Sequence, residues 1–144
     1  MKKLFHLTTS LGVGGAEYFL YNLCNSDLKK KYECTVITLK SGGLYEQRIK
    51  NAGVKVLSLN MKRGSLSITS LIKYYSICKK LKPDIIQGWM YHGNFFAFIY
   101  KLFFLKKIPI LWNIRATLYD VNKERLNTRI IIYILKYFSS FFDL

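Results

Sequence analysis

The chain has 144 residues, of which 51% are hydrophobic and 16% aromatic, which excludes a disordered segment and supplies one domain's core without disulfides or structural metals. Its formal charge is +15, from 23 Lys and Arg against 8 Asp and Glu, a balance open to nucleic acid, an anionic membrane surface or an anionic substrate. The basic groups at Lys29–Lys31, Lys79–Lys82 and Lys106–Lys107 sit at the ends of apolar stretches, where lysines solubilise helix ends. No recognition motif accompanies them, so a nucleic-acid partner is disfavoured. Cys24, Cys34 and Cys78 form no CxxC pair, which leaves neither a zinc site nor a disulfide framework and fits a cytoplasmic setting. His6, Thr8, Thr9 and Ser10 interrupt the apolar start too early for a signal peptide. The apolar run Phe95–Leu105, broken by Lys101, is far short of the roughly 20 residues of a spanning helix.

In chain order, Lys3–Thr9 reads as a strand, followed by glycines and a helix over Gly15–Leu28 whose apolar face is Ala16, Phe19, Leu20, Leu23 and Cys24. Glu33–Leu39 is a β-branched second strand, Leu44–Ala52 a short helix stopped by Gly53, and Val54–Leu59 a third strand. Ser65 is the expected cap of a long helix with a buried stripe of Ile68, Leu71, Ile72, Tyr75 and Cys78, ended by Pro83. Asp84–Trp89 is a fourth strand, Gly93–Leu105 a helix, Ile108–Arg115 a fifth strand and Lys123–Phe142 a last, very apolar helix. This βαβαβαβαβα order predicts an α/β fold: a Rossmann-like, doubly wound parallel sheet with helices on both faces. Ligands bind such sheets at the carboxyl ends of the strands, beside the switch point. Three loops therefore converge on one crevice: Ser10–Gly15, Met90–Asn94 and Arg115–Asp120.

The glycine loop SLGVGGAE is not a dinucleotide fingerprint, because the third small residue counted from Gly12 and Gly14 falls on Glu17, and the second strand ends at Leu39-Lys40 without an acid for a ribose. No Gly-Lys-Ser/Thr follows, which excludes a P-loop. Two readings survive. In one, the free N–H groups of Gly14, Gly15 and Ala16 form an anion site at the helix start, with Glu17 directed sideways; in the other, the glycines only permit a tight turn. The segment Gln87-Gly88-Trp89-Met90-Tyr91-His92-Gly93-Asn94 brings an indole, a phenol and an imidazole to the crevice. His92 there suits general-base or hydroxyl-binding work. Arg115 suits an anion or a sugar hydroxyl, or equally a helix-capping role. No carboxylate pair, Ser-His-Asp order or metal spacing is evident, which points to positional chemistry on a polyhydroxylated or phosphorylated ligand.

The stretches HLTTSLGVGGAEYFLYNL, PDIIQGWMYHGNFFAFI and PILWNIRATLYD together resemble the amino-terminal domain of family-4 glycosyltransferases, over nearly the whole chain. The resemblance implies one half of a GT-B arrangement, in which a sugar passes from a nucleotide-sugar donor to an acceptor with retention, generally without a metal and with no cofactor. It implies that Gly14, Gly15 and Ala16 approach the donor diphosphate, that His92 bonds the transferred sugar or the acceptor hydroxyl, and that Tyr91, Asn94 and Arg115 contact acceptor or sugar. Gln87 stands where many relatives carry a histidine. The family's carboxy-terminal, donor-binding domain is not in the sequence, so the expectation is a domain over 1–144, ending before its last strand and inactive alone. Bacterial relatives often build surface polysaccharide on glycan or lipid-linked acceptors at the inner face of the membrane. This implies a cytoplasmic, peripheral location, with Lys101, Lys106 and Lys107 beside Phe103 and Phe104 on anionic lipid. The rival expectation is a non-catalytic nucleotide- or sugar-binding module.

Overall fold

A computed structural model describes residues 1–62, 67–104, 108–115, 121 and 124–139. Five strands form one sheet: β1 (Lys2–Thr8), β2 (Tyr32–Thr38), β3 (Lys55–Ser58), β4 (Ile85–Trp89) and β5 (Ile110–Asn113). They are connected through α1 (Gly15–Asn25), α2 (Leu28–Lys31), α3 (Leu44–Asn51), α4 (Ile68–Leu81) and α5 (Met90–Phe104), and α6 (Leu126–Phe138) follows the last strand. The spatial order is β3-β2-β1-β4-β5, and every pairing is parallel. The chain winds outward from β1 in one direction and then returns to start again at β4, so the switch point lies between β1 and β4.

Successive β1 side chains feed two cores. Leu4 packs with Val36, Trp89, Leu20 of α1 and Ile49 of α3, whereas Phe5 and Leu7 pack on the other face with Tyr74 of α4 and Phe96 of α5. Both faces are covered, which is why β1 and β2 are buried almost continuously along their length. Each fully buried large side chain contributes roughly 1.5–3 kcal/mol. A third cluster, Phe98 with Leu135 and the flanking Tyr91 and Trp112, seats α6 on α5 and β5.

The helices depart from the sequence expectation in three places. The first is broken: α1 ends at Asn25, where both the Ser26 hydroxyl and its N–H donate to the Leu23 carbonyl, and α2 starts anew after Asp27. The second is a change of face. Ser67, not Ser65, caps α4 by accepting from the Ser70 N–H; Ser65 lies outside the described residues. The face that packs inward is Ser70, Tyr74 and Cys78, so Ile68, Ile72 and Tyr75 are exposed. The third concerns α5, which begins at Met90 rather than Gly93. The ends expected for α6 at 123 and 142 lie outside the described residues.

Candidate functional site

Two strand-to-helix junctions flank the switch point. After β1, the backbone runs through Thr9–Gly14 before α1 begins, and Gly14 stands extended at the N-cap with no side chain capping it. The loop is held from below by the turn after β2: Tyr45 N–H donates to Leu11 O at 2.9 Å, and Lys40 N–H to Thr9 O at 2.9 Å. Gly43, at φ 123°, is pressed against the Leu11 carbonyl so closely that a Cβ would collide with it. The amide end of α1 is therefore fixed in place and points out of the sheet. Glu17 does not turn sideways. Its carboxylate folds back against Gly14, because a negative group is favoured over the positive end of a helix.

The junction after β4 has no loop at all. Trp89 is the last strand residue and Met90 the first of α5, and Met90 turns the corner at φ 59°. A side chain in that left-handed region is unfavourable and is held here by the packing on either side. Two glycines make the close turn feasible: a Cβ on Gly88 would strike Asn94, and one on Gly93 would strike the Leu7 carbonyl of β1. The segment expected as a loop is thus the first turn of a helix lying against the sheet.

This geometry sorts the candidate residues. His92 is half-buried at the start of α5; burial and the Lys40 ammonium lower its pKa, with Glu124 opposing, so the imidazole is neutral at physiological pH. Tyr91 turns the other way, toward Trp112 and α6, and burial with Glu124 raises its pKa. Asn94, expected to contact acceptor or sugar, is fully buried under Gly88, and among the described residues neither of its amide atoms has a hydrogen-bond partner. It belongs to the wall behind the site, since a helix starting at Met90 turns position 94 inward. Trp89 is likewise in the core rather than in the crevice. Arg115 is exposed, and its guanidinium lies over the Phe19 ring, 3.6 Å from the centroid.

His6 has a place that the chain's linear order concealed. Its register partner on β4 is Gln87, and it is fully buried, accepting a long hydrogen bond at Nδ1 from Trp89 Nε1, 3.4 Å away. Desolvation lowers its pKa to about 4, partly offset by the Gln87 side chain. Arg115, Phe19, Trp89 and His6 thereby form a continuous series of ring contacts from the β5 exit to the core. Its sequence signal was a histidine set between the apolar residues Leu4, Phe5 and Leu7.

Beside His92 a cavity of about 530 Å³ opens, bounded by Thr9, Lys40 and Lys62 at the strand ends, by Phe95 and Phe96 of α5, and by α6. Among the described residues, no cluster of His, Cys, Asp and Glu could hold a metal, and no helix is long and apolar enough to cross a membrane.

The alternating order, the switch point and the amide-bearing first junction define a Rossmann-like, doubly wound α/β domain. The family model of Glycosyltransferase Family 4 matches residues 13–144, and the chain belongs to that family. No curated protein matches it. Among solved structures, the chain is similar to a crystal structure of UDP-N-acetylglucosamine 2-epimerase, with 16% identity and a TM-score of 0.48, over 93% of this chain and 40% of that one. The chain thus spans less than half the length of that protein.

Proposed function

We propose that this domain is the acceptor-side half of a GT-B glycosyltransferase, which moves a sugar from a nucleotide-sugar donor to a glycan or lipid-linked acceptor with retention, in bacterial surface polysaccharide synthesis. The observation that carries the reading is the pairing of two unlike junctions at one switch point. One offers uncapped helix amides at Gly14–Ala16, and the other offers a neutral, half-buried imidazole, His92. In the reaction the acceptor oxygen forms a bond to the anomeric carbon. The bond from that carbon to the diphosphate oxygen breaks, the nucleoside diphosphate leaves with the bonding pair, and the acceptor's hydroxyl proton is released to water. The α1 amides favour the negative charge that grows on the diphosphate. His92 accepts a hydrogen bond from a hydroxyl of the sugar or acceptor, while Tyr91 and Arg115 border the site.

The nucleotide and donor sugar are assigned to a second domain, so the 144-residue chain alone is inactive. A peripheral location at the inner face of the cell membrane accords with α4 and α5. Ile68, Ile72 and Phe103 are exposed there, and neither helix contains an acidic residue. Lys106 and Lys107, expected on the same surface, lie outside the described residues. Release of nucleoside diphosphate tests the reading, measured for the chain alone and for the chain joined to a nucleotide-binding second domain. Acceptor-dependent release only in the joined form is expected, and release unaffected by His92→Ala overturns the assignment of His92.

A further inference from the structure

The cavity beside His92 has a chemistry that neither the fold nor the family specifies. Its inner wall is apolar, formed by Phe95 and Phe96 of α5 and by Ile130, Ile131 and Ile134 of α6. Its rim is cationic: Lys40 follows β2, Lys62 follows β3, and Arg125 stands at the N-cap of α6. Among the described residues no lining residue is acidic, and none of these three cations makes an ion pair. Glu124, adjoining Arg125, acts electrostatically on His92. Ile130 is 48% exposed although it lines the cavity, so part of the apolar wall faces solvent. The volume, about 530 Å³, lies in the range of sites that enclose a small organic ligand.

Apolar walls and a cationic rim suit neither a bare sugar nor a bare phosphate. Thr9, Asn127 and Thr128 also line the cavity, but a sugar filling it would still set hydroxyls against Phe95, Phe96 and Ile134, and a phosphate would leave the cavity's depth unfilled. We infer that the cavity binds an amphipathic anion, an apolar chain carrying a phosphate or similar group. The chain lies between α5 and α6, and the charge is held by Lys40, Lys62 and Arg125 beside His92. The inference rests on the proposed function in taking this molecule as the acceptor, or the part of the acceptor nearest its reacting hydroxyl.

Isothermal titration of the 144-residue chain with monomeric alkyl phosphates, below their micelle concentrations, tests it. Octyl phosphate is expected to bind at least tenfold more tightly than either inorganic phosphate or octyl glucoside. Between butyl and octyl phosphate, each methylene should tighten binding by roughly two- to fourfold. Lys40→Gln with Lys62→Gln should bring octyl phosphate down to the level of octyl glucoside. Ile130→Glu, at a half-exposed position the fold tolerates, should weaken it about tenfold, with circular dichroism unchanged. Affinity independent of chain length, or insensitive to both variants, overturns the inference. So does binding confined to vesicles of anionic phospholipid with none to the monomeric probe, since that is attachment to a bilayer surface. The proposed function fails separately. Tight alkyl phosphate binding by an assembled protein that transfers no sugar refutes the function alone, and sugar transfer to a chain-free acceptor without alkyl phosphate binding refutes the inference alone.

Discussion

The junctions after β1 and β4 lie side by side and solve the same problem, turning a parallel strand into a helix, in opposite ways. After β1 a six-residue glycine-containing segment leads to a helix start with no side chain capping it. After β4 there is no connecting residue, and the helix itself delivers side chains, with Tyr91 and His92 set by the corner at Met90. Their glycines differ accordingly. Gly15 has nothing within 4 Å of an added Cβ, whereas Gly93 abuts the β1 backbone. Glycine serves openness at the first junction and closeness at the second. A contact surface made of backbone tolerates side-chain change, while one made of side chains depends on how tightly its helix is docked.

The strongest way to break this contrast is to add a Cβ at each junction. Gly93→Ala should cost about 3 kcal/mol, because the rigid β1 backbone has no room to give. Gly15→Ala should stay within about 1 kcal/mol, since its Cβ enters open space. Urea unfolding of the two variants measures this, and equal losses would erase the distinction.

His92→Ala, in the protein joined to its donor-binding domain, should lower the transfer rate by about 10- to 10²-fold, the worth of one lost hydrogen bond, with little change in unfolding midpoint. A shift in the midpoint with normal turnover would make His92 structural.

Acid should act through the buried histidine of β1. The pKa of His6 is about 4 in the fold against 6.5 unfolded, so the unfolded chain takes up a proton that the native state refuses. Its contribution is complete above pH 6.5 and is lost as the pH falls toward 4, roughly 3 kcal/mol in all, at about 1.4 kcal/mol per unit. His92 works in the same direction. His6→Gln should flatten the stability profile over this window, and an unchanged profile would place the acid sensitivity elsewhere.

The smallest effect belongs to Glu17. Glu17→Gln removes the carboxylate that leans on Gly14 and should strengthen binding of inorganic pyrophosphate about two- to fivefold, the usual worth of one charge at an exposed helix end. Titration at low ionic strength reads this directly, and no change would mean that the anion binds elsewhere.

The sequence by itself determined the alternation of strands and helices, because periodicity and punctuation are local. Thr8, Gly53 and Pro83 mark boundaries that neighbouring residues enforce. It also determined the family, and it singled out His92. Three things it left open depend on partners distant in the chain. The inward face of α4 was set by Ser67 and by the fit of Tyr74 against Phe96, not by the count of apolar residues, since Ile72, the more apolar of two candidates two positions apart, is the one left exposed. A helix start at Gly93, as local sequence suggests, would put Asn94 and Trp89 in the cleft; the contact of Gly93 with Leu7 goes with a start at Met90 that turns both inward. His6 met Trp89 and Gln87 only through the register of β1 with β4, across more than eighty residues of chain. The cavity has the same origin: α6 settles on α5 through Phe98 and Leu135, and that packing brings Arg125 and the α6 isoleucines to the side of the sheet where Lys40 and Lys62 leave β2 and β3. Local sequence chooses elements, but a site is made where elements meet, and their meeting is decided by the packing of faces that no single segment contains.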